Sequence, residues 1–224
     1  MVEQLVLVLV EEEPPTFANF VAGPNAEAIA ALTRTATSGG DAIALWGAEG
    51  SGKTHLLRAF VATAAAAGRT SHYVASAADI DSATDAHCIA VDDVDRADAD
   101  AQARLFTLFN AVRARGGAFV AASRLQPSRL ALRDDLRTRL AWGLTFEIRA
   151  LADADKPAAL AVHARQRGFE LGDDVIAYLL AHGRRDMRSL TATLAALDRH
   201  SLSTRRAITV PLLREWMASS RLPI

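Results

Sequence analysis

Short apolar runs alternate with longer stretches in which apolar residues return every three or four positions, and the alternation stops near residue 150. Runs at 42–46, 71–74, 88–91, 118–122 and 144–148 read as strands, apolar enough throughout to be buried, for the most part, on both faces of a parallel sheet. Between them helical spacing prevails. Leu105, Leu108, Phe109 and Val112 fall on one face at i, i+3, i+4, i+7, and Gly116-Gly117 ends that helix. Beyond Ile148 the segments 158–167, 174–182, 186–200 and 210–219 carry helical spacing alone. The pattern predicts an α/β domain over residues 14–150, a five-stranded parallel sheet between helices, followed by a small helical domain over 151–224. The chain opens on six apolar residues, 5–10, that run into Glu11-Glu12-Glu13-Pro14-Pro15. An edge strand and a detached tail both fit the apolar run; the acidic, proline-bearing stretch favours a flexible tail over 1–13.

Composition narrows the classes. At 224 residues, half hydrophobic and 23% charged, the chain has enough apolar surface for one α/β core and a companion. A net charge of -1 gives no global electrostatic drive toward nucleic acid or a membrane. The arginines of the last third (Arg165, Arg167, Arg184, Arg185, Arg188, Arg199, Arg205, Arg206) leave room for a weak DNA contact, although a solvated helical face explains them as well. The lone cysteine, Cys88, excludes an internal disulfide and fits a reducing, cytoplasmic setting. The opening run lacks a basic flank and falls short of the roughly 20 apolar residues that span a bilayer, so no targeting segment or membrane association is expected. Six histidines show no metal-ligand spacing.

Candidate chemistry begins where the first strand ends. Gly47-Ala48-Glu49-Gly50-Ser51-Gly52-Lys53-Thr54 lies between a buried strand and a helix predicted over 54–67, the setting a phosphate loop requires. Glycines let backbone N–H groups close on phosphates, the helix N-terminus adds partial positive charge, Lys53 reaches the terminal phosphates, and the Thr54 hydroxyl suits Mg²⁺. The alternative is a glycine turn beside a surface lysine. The strand 88–91 then ends in Asp92-Asp93, where a P-loop NTPase needs an acid to orient the metal and a second to polarise water; an acidic turn is the plain alternative. Ser123 closes the next strand, and Arg137 and Arg139 lie on a short helix before the last one. A guanidinium there suits phosphoryl charge in a neighbour's site, or merely a solvated basic helix.

The order phosphate loop, strand-Asp-Asp, strand-Ser, Arg139-Leu140-Ala141-Trp142-Gly143-Leu144 and a helical-domain arginine, Arg185, resembles the AAA+ ATPases. Its wording is similar to the DnaA initiator clade. Thr16-Phe17-Ala18-Asn19-Phe20-Val21-Ala22-Gly23-Pro24-Asn25 is similar to the clade's adenine-flanking segment. The resemblance implies an AAA+ fold with a helical lid, binding of ADP or ATP with Mg²⁺, and weak intrinsic ATPase activity at most. It implies nucleotide contacts from Phe20, Val21, Gly47, Gly50, Ser51, Gly52, Lys53, Thr54, His55, Asp92 and Arg185, with Thr54 and Asp92 at the metal. Asp93 and Ser123 would act in catalysis, and Arg139 as a finger in trans. No helix-turn-helix domain is expected after the lid, and the polar link 76–86 looks too short for the helix by which initiators build filaments. With Gln4, Leu5, Leu7 and Leu9 in a Gln-Leu-x-Leu-x-Leu pattern, the chain resembles the Hda family of DnaA regulatory inactivators. That resemblance implies two partners, DnaA and the sliding clamp (the β subunit of DNA polymerase III), with glutamine at the pocket rim and alternate leucines in apolar pockets. Val8, where relatives often carry proline, weakens docking or favours strand pairing; a homodimer stays open. The rival readings are a DnaA-related loader or adaptor, and a nucleotide-locked module that only bridges clamp and partner.

Overall fold

The computed structural model describes residues 14–83, 85–184 and 186–219. Gln4, Leu5, Leu7, Leu9 and Arg185 lie outside the described residues. The described residues divide into two compact units, one over Pro14–Ala150 and one beginning at Leu151.

The first unit is built on five parallel strands: β1 (Ala42–Trp46), β2 (Ser71–Val74), β3 (Cys88–Val91), β4 (Ala118–Ser123) and β5 (Leu144–Glu147). They pair in the order β2-β3-β4-β1-β5. The period-two alternation of a strand divides their side chains between two cores. Ile89, Val91, Phe119 and Ala121 meet α3 (Ala99–Ala114) and α4 (Asp134–Ala141), where the predicted stripe Leu105, Leu108, Phe109 and Val112 is buried. Phe109 and Phe119 contact edge-on, with centroids 5.0 Å apart. Ile43, Leu45, Cys88, Ala90, Val120 and Ala122 face the other way, onto α1 (Ala26–Ser38) and α2 (Lys53–Ala66). Burying each valine, leucine, isoleucine or phenylalanine side chain among these contributes about 1.5–3 kcal/mol, so the two faces hold the sheet between helices.

Two expectations need correction. The last strand is not buried on both faces: most of β5, which pairs with β1 at the sheet edge, is exposed. The link after β2 is not simply polar. Residues Ala77–Ala83 form a 3-10 helix, and Ala77 and Ile80 are buried against α3.

The second unit is helical, with α5 (Lys156–Gln166), α6 (Asp173–His182), α7 (Met187–Thr204) and α8 (Val210–Ser219). Leu160, Val175, Leu179, Leu190, Leu194, Leu212 and Trp216 form its core. Asp186 caps α7 by accepting from the Ser189 backbone N–H at 2.8 Å.

Asn25, which precedes α1, is buried and holds the entry of the first unit to its exit. Its amide donates to the Arg149 carbonyl and accepts from the Arg149 N–H, both at 2.9 Å. Asn25→Ala strands two backbone groups and is expected to cost about 1–3 kcal/mol in urea unfolding. A change below about 0.5 kcal/mol would mean that water replaces the amide fully.

Candidate functional site

Strand order places the chemistry. β3, β4 and β1 are neighbours, so their carboxyl ends bring Asp92, Ser123 and Gly47 to one edge of the sheet, where ligands bind open α/β folds. Ser123 pairs with Trp46 across β4 and β1, and its carbonyl accepts from the Gly47 N–H at 3.3 Å. The buried Ser123 hydroxyl donates to the Leu125 carbonyl at 2.7 Å.

Between β1 and α2 the loop takes conformations that only glycine tolerates well. Gly47 has φ 152°, and a side chain there would meet the Ile148 carbonyl. Gly52 has φ 100°, and a Cβ would meet the Phe20 ring. Gly52 is the N-cap of α2; no side chain caps that end and no acid lies in the first turn. The helix therefore presents the positive end of its dipole to the loop. The Lys53 ammonium is buried and donates to the Gly47 and Ala48 carbonyls, both at 2.8 Å. Burial pulls its pKa below the ordinary lysine value, against the opposing charges of Asp92, Asp93, Asp95 and Glu49. Ser51 is buried too, and its hydroxyl has no hydrogen-bond partner among the described residues. An orphaned hydroxyl, a buried cation and an uncapped helix end around a glycine cradle fit a polyphosphate, which Gly47 to Thr54 could hold.

Asp92 follows β3 directly and has a buried carboxylate. Its Oδ2 accepts from the Thr54 hydroxyl at 2.6 Å, and its Oδ1 accepts from the Asp93 N–H at 3.0 Å. A hydroxyl and a carboxylate in contact form an all-oxygen donor set that fits a hard cation such as Mg²⁺. Asp93 adopts the left-handed conformation, φ 47° and ψ 41°, uncommon outside glycine, and its carboxylate lies 3.3 Å from Arg96.

The segment before α1 lies on the loop. Thr16 and Asn19 exchange side chain-to-backbone hydrogen bonds at 2.9 and 3.1 Å, which folds 16–19 into a turn. His55 Nε2 is 2.8 Å from the Thr16 carbonyl, and the Phe20 and His55 rings are 5.3 Å apart. Phe20 thus contacts both Gly52 and His55, with half-buried Val21 beside it. Arg139 keeps other company: its guanidinium carbon is 4.6 Å from the centroid of Trp142 and 5.6 Å from that of Phe106.

Sequence reading missed two contributors. Tyr73, on β2, donates its hydroxyl to Asp92 Oδ2 at 3.0 Å, and burial followed by the Asp92 charge raises its pKa. Asp95 binds Arg124 Nε at 2.7 Å and ties the turn after Asp93 to the end of β4. Tyr73 is legible only once β2 is known to flank β3; Asp95 and Arg124 follow no spacing rule.

The first unit has the parallel-sheet fold of the AAA+ P-loop proteins. The chain is similar to domain III of the replication initiation protein DnaA from Thermotoga maritima, at 21% identity over 93% of this chain and 97% of that one, with a TM-score of 0.72. It is similar to AMPPCP-bound DnaA from Aquifex aeolicus, at 23% identity over 87% of this chain and 71% of that one, with a TM-score of 0.69. Thermotoga maritima RuvB matches at 16% identity over 93% and 75%, with a TM-score of 0.61. At these identities the likeness speaks for the fold. The second unit says more: its residues 153–217 match the family model described as "Hda, lid domain".

Proposed function

We propose that the protein is a nucleotide-bound regulator of replication initiation that acts with the sliding clamp to stimulate ATP hydrolysis by DnaA. The observation that carries the reading is the Hda lid on a DnaA-like AAA+ body. ADP or ATP would lie in the cradle of Gly47, Gly50, Ser51, Gly52, Lys53 and Thr54, with the base near Phe20, Val21 and His55 and the phosphates also read by Arg185. AMPPCP in the DnaA relative supports a nucleotide here. Mg²⁺, held by Thr54 and Asp92, would neutralise phosphate charge. Asp93 would orient water and Ser123 the terminal phosphate in any intrinsic turnover, which the reading keeps weak. Arg139 would serve the phosphates of a neighbouring DnaA.

Residues 1–13 would supply the clamp contact through Gln4, Leu5, Leu7 and Leu9, ahead of an AAA+ domain over 14–150 and a lid over 151–224. Another DnaA relative is described as bound to single-stranded DNA; a weak DNA contact of the lid arginines would then help at a loaded clamp. Among the described residues no helix is long and apolar enough to cross a membrane; the proposed setting is the cytoplasm. The test mixes DnaA loaded with ATP, clamp on DNA and this protein. Hydrolysis should rise only with all three present, and Gln4→Ala with Leu5→Ala should remove both the rise and capture on immobilised clamp while leaving the melting temperature unchanged. Retained capture would refute the clamp role, and a marked fall in melting temperature would favour the edge strand.

A further inference from the structure

Asp92 receives one hydrogen bond that the phosphate-loop pattern does not supply. We infer that Tyr73 is a positioning residue for the divalent cation: its hydroxyl fixes the Asp92 carboxylate so that a single acceptor position, on Oδ1, stays available to the cation's water shell. The inference rests on the reading of the loop as a nucleotide site.

An ionised carboxylate has about four lone-pair positions, two on each oxygen. Oδ2 takes the Thr54 hydroxyl at 2.6 Å and the Tyr73 hydroxyl at 3.0 Å, and is filled. Oδ1 takes the Asp93 N–H at 3.0 Å and keeps one position. Without Tyr73 both oxygens would have an open position, and the carboxylate could turn between them.

The tyrosine is placed to prevent that turn. β2 pairs with β3 so that Tyr73 lies opposite Ala90, two residues before Asp92. The Asp92 N–H donates to the Val74 carbonyl at 2.9 Å, so β2 holds both the backbone and the carboxylate of Asp92. The Tyr73 ring packs against the core beneath α1 and α2, and the Arg58 guanidinium of α2 lies over it, 5.0 Å from the centroid. Thr54 and Arg58 both belong to α2. The phosphate-loop helix therefore grips Asp92 twice, once directly and once through the ring. A buried carboxylate held from two elements keeps its orientation between turnovers, which is what a cation site needs from its surroundings.

Calorimetric titration of ADP, in EDTA and across a Mg²⁺ series, tests this with wild type, Tyr73→Phe, Asp92→Asn and the double variant. Phenylalanine keeps the ring and loses only the hydroxyl. Tyr73→Phe is expected to leave the EDTA affinity within about twofold and to cut the gain from Mg²⁺ by about 3–10-fold. In the Asp92→Asn background it should add nothing, because it acts through the carboxylate. An equal loss with and without Mg²⁺, an unaltered Mg²⁺ gain, or a full effect in the Asp92→Asn background would each overturn the role of Tyr73 alone. Wild type that fails to bind ADP would overturn the nucleotide reading itself, and the inference with it.

Discussion

Lys53→Ala is expected to weaken ADP and ATP binding by at least on the order of 10²-fold, since one charge-assisted hydrogen bond is worth about 1.5–3 kcal/mol and the ammonium can make more than one. Calorimetry reads it directly. The variant should fold normally. The ammonium is buried, and burial already disfavours its charge, so alanine removes a desolvation cost together with two hydrogen bonds to the Gly47 and Ala48 carbonyls. The melting temperature should stay within roughly 4 °C, the shift that about 1 kcal/mol makes in a chain of this size. Unchanged affinity would reduce the glycine loop to a turn; lost affinity with a collapsed melting temperature would make Lys53 a structural residue.

The phosphate loop could be read from the sequence because its geometry is local. Gly47 and Gly52 must be glycine where they stand, and the strand before and helix after them are contiguous in the chain. β1, β3 and β4 were legible for a related reason: buried on both faces, they are apolar without interruption. α1 was not picked out, although Ala28, Ala31, Leu32, Thr35 and Ala36 form a buried stripe at helical spacing. Small residues on both its faces blur the contrast on which periodicity depends. The exposure of β5 was hidden because a strand's apolar content does not say whether one neighbour or two will flank it. Tyr73 and Asn25 act through partners 19 and 124 residues away, and no pattern along the chain encodes such pairs.

Arg139→Ala is expected to leave nucleotide affinity and clamp capture intact and to abolish stimulation of DnaA, by a factor on the order of 10³ if Arg139 matches well-placed fingers in trans. The arginine lies on α4 with its guanidinium stacked on Trp142 and near Phe106, and Trp142 is 68% exposed. Stacking on aromatic faces restricts a long side chain without using its N–H donors, so the planar fork is ordered before it meets a phosphate. An exposed tryptophan beside it is the residue type that anchors protein interfaces. Arg139→Lys should fail nearly as badly, since a point charge neither stacks in the same plane nor donates through a fork. Arg137 is the internal control. It pairs with Asp134 at 2.7 Å and stands two residues from Arg139, about 200° around the helix at 3.6 residues per turn, so Arg137→Ala should stimulate DnaA as wild type does. If Arg139→Ala stimulates fully with clamp and nucleotide saturating, the hydrolysis-promoting role falls. The stacked guanidinium would then be part of a docking face, and a module that bridges clamp and partner becomes the better account.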